Sequence, residues 1–265
     1  MVRGLYTSAT GALVAQANVD VIANNLANVN TSGFKRTLMQ IESSQKTEIF
    51  RDQTDPGTSP GSRIPGIAVH ASIGSLGSGA HIYDTPAIFD QGAIAQTGNP
   101  LDVALSGPGF FAIRNGAGQL RYTRDGSFVR NNQDQLVTNN GDTVLGANGG
   151  AITLPDQGSV NIDRTGNITA GGAPVGQLAV FEFGNTTNLR PEGASSFVDA
   201  GANPQLATAT TVVQGAQEKS NSDVVRSMVD LITNERWFDA NEKSIQTQDD
   251  ATGIATSALG KSSGT

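Results

Sequence analysis

The sequence predicts an α+β protein in which long helices at both ends form a discontinuous coiled-coil domain, with an antiparallel β-rich central domain and an extended connector. Three observations support this prediction: a heptad-like pattern near each end, short apolar alternations between turn residues in the middle, and a Pro- and Gly-rich stretch before them. We therefore divide the chain into an N-terminal helical segment, a connector, a β-rich domain and a C-terminal helical segment, at residues 1–44, 45–80, 81–212 and 213–265.

The N-terminal helix is predicted from small or apolar residues that recur in alternating steps of four and three. The residues of this stripe are Leu5, Ala9, Ala12, Val19, Ala23 and Leu26. Such a stripe faces one partner helix in a coiled coil, although Gln16 interrupts it here. The polar run from Asn30 to Gly33 predicts the end of the helix, because glycine readily adopts the left-handed conformation that closes helices.

The connector is predicted from its composition, which is rich in Gly, Ser, Asp and Thr and includes Pro56, Pro60 and Pro65. The only histidines of the chain, His70 and His81, lie in or beside it, and neither has a definable Ser and Asp partner. With no cysteine in the chain either, the sequence predicts no enzymatic activity, no cofactor and no metal site.

The central domain is predicted to be antiparallel because apolar alternations are separated by turn dipeptides. Asn115-Gly116 and Asn140-Gly141 favour β-hairpins, since Asn-Gly fits the tight turns that match the twist of paired strands. The apolar run LAVFEF at 178–183 predicts a strand that is buried on both faces.

The C-terminal helix is predicted to begin after Ser222, a suitable N-cap residue. Glu235 and Glu242 fill gaps in its apolar stripe, which consists of Val224, Met228, Leu231, Phe238 and Ile245. Further apolar residues lie off the stripes of the two helices, among them Ile22 and Ile232. An antiparallel pair within one chain is a possible arrangement, but the second apolar flank favours contact with other copies of the chain.

Charge and hydropathy exclude two classes of partner. A formal net charge of -7 argues against binding to a phosphate backbone, which requires clustered Lys and Arg. No apolar run approaches the roughly 20 residues that cross a bilayer, so we expect no direct membrane insertion.

Three groups of residues resemble the bacterial flagellar rod and hook protein family. Residues 24–35, which read NNLANVNTSGFK, are similar to its N-terminal signature. In the middle, residues 101–111 and 122–128 match its LDVAL, GFF and YTRDGSF segments, and Asn221 to Ile245 follow the C-terminal order of the family.

This resemblance implies a structural protein of the flagellar basal body that polymerises as a helical, torque-transmitting tube. The terminal helices would form the inner coiled-coil layer and the β-rich domain an outer layer. The implied partners are further copies of the chain, other rod and hook proteins and the surrounding basal-body ring proteins. The implied location is outside the cytoplasmic membrane, periplasmic in a Gram-negative cell, after export without signal cleavage.

Within the family, the GLYTSATGAL opening at residues 4–13 looks most like a distal rod subunit, with a proximal rod subunit as the alternative. A secreted β-rich binding module or adhesin is a rival of another class. It would need a saturable pocket in the β-rich domain, whereas a rod subunit needs none.

Candidate subunit-interface residues follow from the stripes and the signature. Asn24 and Asn28 share a helix face, and amides there could set the register against a neighbouring chain, or could simply be solvated. Phe34 is either an anchor beyond the helix or an ordinary core residue. The predicted interface consists of Leu5, Ala9, Ala12, Val19, Ile22, Ala23, Asn24, Asn25, Leu26, Asn28, Phe34, Val224, Met228, Leu231, Ile232, Phe238 and Ile245.

Overall fold

The computed structural model describes residues 2–44, 47–50, 72–77, 79–155, 158–193 and 195–262. It confirms an α+β fold with a long helix at each end and a β-rich central region, α1 being Val2–Ala27 and α2 Val224–Ser262. The chain divides into two compact units. Unit 1 contains Met1–Val19, Met39–Asp84 and Ile232–Thr265, and unit 2 contains Asp20–Leu38 and Thr85–Leu231.

Both helix boundaries have a local cause. After α1 ends at Ala27, polar turns lead to Gly33, whose φ of 68° lies in the left-handed region that glycine adopts without strain. The N-cap of α2 is Asp223 rather than the predicted Ser222. The Asp223 side chain accepts a hydrogen bond of 2.9 Å from the backbone N–H of Arg226, three residues on, which satisfies one of the free donors of the first turn.

Unit 1 contains two short antiparallel strand pairs. Strand β1 (Gln40–Ser43) pairs with β4 (Ala80–Asp84), and β2 (Thr47–Phe50) pairs with β3 (Ser72–Leu76). The extended connector therefore includes one strand pair among its described residues. The rest of that prediction, including the three prolines and His70, falls largely outside the described residues.

Unit 2 holds the remaining strands. They are β5 (Ile94–Gln96), β6 (Val103–Ser106), β7 (Phe110–Arg114), β8 (Leu120–Thr123), β9 (Phe128–Arg130), β10 (Leu136–Thr138), β11 (Thr143–Val144), β12 (Val160–Ile162), β13 (Asn167–Ala170), β14 (Ala173–Gln177), β15 (Val180–Phe183), β16 (Leu189–Pro191), β17 (Ser196–Asp199), β18 (Pro204–Leu206), β19 (Thr211–Gln214) and β20 (Ala216–Glu218). A 3₁₀ turn at Thr186–Asn188 precedes β16.

The largest sheet has nine strands in the order β16-β17-β8-β7-β11-β10-β9, with β15 against β7 and β18 against β15. A three-stranded sheet joins β12, β13 and β14, while β6 pairs with β19 and β5 with β20. Both predicted Asn-Gly hairpins are confirmed: Arg114 pairs with Leu120 across the first turn, and Val137 with Thr143 across the second.

Strand β7 is covered on both faces, and this organises the core of unit 2. Its successive side chains alternate between two clusters, as the two-residue period of a strand requires. Phe111 packs edge-to-face on Phe128 in one cluster, and Phe110 packs edge-to-face on Phe183 in the other. The predicted two-faced burial of β15 is only partial, since its two central residues are half-buried.

None of the helices in the described part of the chain combines the length and the hydropathy needed to span a bilayer.

An exposed turn between β12 and β13 holds the Asp163 carboxylate, which accepts several hydrogen bonds and has a lowered pKa. One oxygen of Asp163 accepts hydrogen bonds from the backbone N–H groups of Thr165 and Asn167, both at 2.9 Å, and the other accepts from the Asn167 amide at 3.0 Å. Hydrogen bonds from Thr165 and Asn167 to the charged form lower the pKa of Asp163 from 3.8 to about 2.

We predict that this turn stabilises the fold at neutral pH and loses its effect in acid. A carboxyl whose folded pKa is depressed contributes stability above its unfolded value of 3.8, and that stability disappears as the pH falls through about 2. Thermal unfolding of wild type and Asp163→Asn should therefore differ at pH 7, with a gap that narrows between pH 4 and about 2. A gap of constant size over this range would contradict the assignment.

Candidate functional site

In unit 1, α1 and α2 run antiparallel and touch through small and polar side chains. The Ser8 and Ser244 hydroxyls are 3.0 Å apart, and the Asn18 amide donates to the Asn234 side-chain oxygen at 2.6 Å. The helices approach closely at two glycines: a Cβ on Gly4 would lie 2.7 Å from the Gln248 side chain, and one on Gly11 would lie 2.9 Å from Asn241.

These four contacts follow one antiparallel alignment of α1 with α2. Along α1 they are separated by four, three and seven residues, and along α2 by the same steps in the reverse direction. Steps of four and three are those of a heptad, so one continuous seam joins the helices. At these four points the helices meet through glycine, serine and amide side chains rather than through large apolar ones.

The buried row of α1 is rotated by one residue from the predicted stripe. Its buried members are Ser8, Ala15 and Ile22, spaced seven apart, while the predicted Leu5 is 39% exposed. Hydrophobicity alone passes over Gly4, Ser8 and Gly11, although residues this small are the ones that allow two helix backbones to come close.

On α2, only part of the predicted apolar stripe lies on the face that is turned toward α1. Leu231, Phe238 and Ile245 are half-buried and alternate with polar residues, of which Asn234 is 6% exposed. Met228 is exposed, one position away from the buried Ser227. The prediction therefore included the apolar residues of this row but not its buried polar residues, Ser227 and Asn234.

The predicted interface residues fall into three groups by exposure. The exposed ones are Leu5, Ala23, Asn24, Val224, Met228 and Ile232. The half-buried ones are Ala9, Ala12, Val19, Leu26, Asn28, Leu231, Phe238 and Ile245. Those buried within the chain are Ile22, Asn25 and Phe34.

Both terminal helices keep large apolar side chains in water. The exposed ones include Tyr6, Leu13, Val225, Val229, Trp237 and Ile254, all at least half exposed. Single exposed apolar residues are ordinary on a protein surface, whereas large contiguous apolar patches are typical of interaction surfaces.

The N-terminal signature is held in unit 2 by its own side chains. The Asn25 amide donates to the Thr37 carbonyl at 2.8 Å, and its side-chain oxygen accepts from the Thr37 N–H at 2.9 Å. The Asn28 amide donates to the carbonyl of Asn24 at 2.9 Å. Asn25 therefore closes the loop that follows α1, a use that the sequence pattern did not indicate.

Gly33 has a second requirement besides its positive φ. Its N–H donates to the carbonyl of Glu218 at 2.8 Å, and a Cβ there would lie 2.3 Å from the backbone nitrogen of Asp125. The signature thus lies directly against the backbone of the central TRDG segment, and only glycine fits at this point.

A buried charge triad joins the same three segments. Lys35 Nζ lies 2.6 Å from Glu218 Oε1, and Arg124 Nη1 lies 3.3 Å from Glu218 Oε2, with side-chain exposures of 0%, 0% and 2% for Lys35, Glu218 and Arg124. Burial lowers the pKa of Lys35 and of Arg124, and the Glu218 carboxylate opposes both shifts. The triad leaves no local signal in the sequence, because Lys35 and Glu218 are 183 residues apart.

Further contacts complete the triad. Lys35 Nζ also donates to the carbonyl of Asp90 at 2.7 Å, and Glu218 Oε1 accepts from the N–H of Gly92 at 2.8 Å. The Arg124 guanidinium lies 4.7 Å from the centre of the Phe110 ring, a cation–π contact. Each charge is thus paired, as buried charges must be, although Arg124 Nε is buried without a hydrogen-bond partner within the described residues.

Asn221 ties the start of α2 to the same place. Its side-chain oxygen accepts from the N–H of Arg36 at 2.8 Å, and its amide donates to the carbonyls of Ile88 at 2.7 Å and Asp90 at 3.1 Å. The segments that follow α1 and precede α2 are therefore fixed to the β-rich part of unit 2 by one hydrogen-bonded cluster.

The described residues contain no group of three or more side chains suited to hold a metal ion. His81 lies on β4 as an exposed residue, and His70 lies outside the described residues.

Comparison with known proteins gives three family matches along the chain. Residues 5–35 match the family described as flagella basal body rod protein, and residues 104–170 match the flagellar hook protein FlgE/F/G D1 domain. Residues 213–258 match the flagellar basal body rod FlgEFG protein C-terminal family.

Full-length relatives give the same result. The chain is 34% identical to the flagellar basal-body rod protein FlgG of Agrobacterium fabrum, over 97% of this chain and 99% of that protein. It is 33% identical to FlgG of Borreliella burgdorferi, over 96% and 98%. It is 30% identical to the rod protein FlgF of Caulobacter vibrioides, over 98% and 99%.

We predict that Glu218→Gln strongly destabilises unit 2. The substitution leaves Lys35 and Arg124 buried without a counter-charge, which costs about 3–5 kcal/mol. Urea unfolding would measure this loss. Glu192→Ala is the matched control, because it removes an ion pair to Arg121 that is half exposed on the Glu192 side and worth less than about 1 kcal/mol. Equal effects of the two substitutions would contradict a structural role for the triad.

The neighbouring asparagines Asn24 and Asn25 provide a second comparison. Asn25→Ala leaves the Thr37 backbone groups without partners and should cost about 1–3 kcal/mol in the same assay. Asn24→Ala, at an exposed site on the same helix, should change stability by less than about 0.5 kcal/mol. A cost of Asn25→Ala no larger than that of Asn24→Ala would contradict the role of these contacts.

Proposed function

Because the chain belongs to the family of flagellar basal-body rod proteins and is a structural subunit of the bacterial flagellar rod, we propose that it polymerises into the distal part of that rod. In this proposal the polymer is a helical tube that transmits torque. Since the family is structural, we propose that the chain has no enzymatic activity and takes no cofactor.

The exposure of apolar side chains along α1 and α2 is the observation that supports polymerisation. Small and polar groups occupy the points of closest approach between the helices, whereas Leu13, Val225 and Trp237 are all more than half exposed. Burying a large apolar side chain contributes about 1.5–3 kcal/mol of free energy. Contact with a neighbouring copy that buries these side chains would therefore stabilise the polymer.

We propose that the subunit interface is formed mainly by the exposed residues of the two helices. Leu5, Val224, Met228 and Ile232 from the predicted set belong to it, together with the exposed rows of both helices. The half-buried members of the predicted set would form the borders of this interface. Ile22, Asn25 and Phe34 would contribute indirectly, by fixing the chain around the interface.

A contact of this kind between identical subunits is heterologous, because different surfaces of each copy meet. Heterologous contacts that do not close into a ring generate helical filaments. The further partners in this proposal are other rod and hook proteins and the surrounding basal-body ring proteins, at a location outside the cytoplasmic membrane.

A rod subunit of the FlgF type is the second candidate, because the Caulobacter vibrioides FlgF aligns over almost the whole chain at 30% identity. The FlgG relatives reach 33–34% over similar lengths, which favours the FlgG type and the distal position.

Deletion of residues 2–19 tests the proposal. These residues belong to unit 1, whereas residues 20–38 carry the signature contacts of unit 2 and are retained. We expect the truncated chain to keep the β-sheet circular dichroism of unit 2 and to be absent from isolated basal bodies. Incorporation at the wild-type level would overturn the proposal.

Single substitutions should weaken assembly without unfolding the chain. Leu13→Ser and Val225→Ser each remove an exposed apolar side chain, 66% and 72% exposed. Each should raise the concentration at which the purified chain sediments as a polymer by about tenfold, equivalent to roughly 1.4 kcal/mol. Leu206→Ser, at a 62% exposed site on β18, is the control and should leave that concentration unchanged. Equal effects at all three sites would contradict the assignment of the interface to the helices.

A further inference from the structure

A groove lies along the paired helices of unit 1, with a volume of about 440 Å³. Gln16 and Val19 of α1 line one wall, and Glu235, Phe238 and Asp239 of α2 line the other. Val19 and Phe238 are half-buried, so they form an apolar floor, and the two exposed carboxylates form a rim.

The rim is part of a longer acidic row. Glu235, Asp239 and Glu242 follow each other at steps of four and three, which places them on one flank of α2. Like charges at this spacing repel each other, an effect that Arg236 and Lys243, three and four residues from Asp239, partly offset. Within the described residues, neither Glu235 nor Glu242 belongs to an ion pair. The groove therefore suits an occupant that is both basic and apolar.

The same helix carries a stripe with that chemistry. Val229, Ile232, Arg236 and Lys243 fall on one face of α2 at about 100° per residue, on the far side of the acidic row from the seam. Val229 and Ile232 are 56% and 50% exposed. Within the described residues, neither Arg236 nor Lys243 belongs to an ion pair.

The charges of the two surfaces have the same spacing. Arg236 and Lys243 are seven residues apart, as are Glu235 and Glu242, so each pair spans about 10.5 Å along the helix. A second copy placed parallel to the first can therefore set Arg236 against Glu235 and Lys243 against Glu242 at once. The stripe cannot reach the groove of its own chain, because both lie on the same helix.

We propose that the groove of one copy receives the stripe of the next copy, which consists of Val229, Ile232, Arg236 and Lys243. This inference rests on the proposed function and names the contact that sets the register between neighbouring subunits. Apolar contact with Phe238 and Val19 supplies affinity, and the two charge pairs select the parallel alignment, since electrostatic complementarity fixes register more than it adds affinity.

Charge reversal within the full chain tests the pairing. Glu235→Lys with Glu242→Lys, and Arg236→Glu with Lys243→Glu, each bring like charges together and should lower the amount of subunit in isolated basal bodies at least about tenfold. The chain with all four substitutions restores opposite charges at every contact and should recover to within about threefold of wild type. A fourfold variant no better than the double variants would overturn the proposal.

Cysteine pairs give an independent readout, since the natural chain has no cysteine. Under oxidation, basal bodies containing Gln16→Cys with Arg236→Cys should yield a ladder of linked subunits on non-reducing gels. Gln16→Cys with Trp237→Cys is the control, because Trp237 is 58% exposed on the other side of the seam and should give no ladder. A ladder from the control pair alone would also overturn the pairing.

These outcomes are separable from failure of the proposed function. If the chain lacking residues 2–19 assembles normally, the helices do not drive polymerisation and the proposed function fails. If that deletion abolishes assembly while charge reversal leaves it intact, polymerisation through the helices stands and only the groove contact is wrong. Circular dichroism of each purified variant shows whether it has kept its helices.

Discussion

The close approach of α1 and α2 is the constraint on which the packing of the two helices in unit 1 depends. Gly4 and Gly11 leave no space for a Cβ against the side chains of α2, and Ser8 and Asn18 meet their partners by hydrogen bonds. A seam built from such residues holds two helices in register but buries little apolar area. Leu13 and Trp237, on the same two helices, are instead exposed, and we propose that contact with other molecules covers them.

The second constraint lies in unit 2, beside the end of α1 and the start of α2. There Gly33 contacts the backbone of the TRDG segment, and Lys35 and Arg124 share the carboxylate of Glu218. Lys35 and Glu218, 183 residues apart in the sequence, thus contribute to one buried cluster of charges, which is costly to break. Asn221 fixes the segment before α2 at the same place through its hydrogen bond to Ile88. The β-rich part of unit 2 therefore holds the two helix ends that belong to unit 2.

Much of the fold could be predicted from local pattern. The Asn-Gly hairpins and both helices follow from turn chemistry and periodicity, and Leu231, Phe238 and Ile245 lie on the observed row of α2. On α1 the prediction was one residue off, because counting apolar residues gives no weight to Gly4, Ser8 and Gly11. The triad could not be predicted, since nothing local to Glu218 indicates a partner so far away in sequence. Packing by small groups and long-range charge pairing leave weak sequence signals.

In the proposed rod, neighbouring copies cover the exposed apolar residues of the terminal helices. Trp237 is the single tryptophan of the chain and is 58% exposed, so its fluorescence reports on this surface alone. Acrylamide quenching of the monomer and of isolated rods would measure its access to solvent directly. We expect strong quenching in the monomer, and severalfold protection with a blue-shifted emission in the rod. Equal quenching in both states would contradict the proposed coverage.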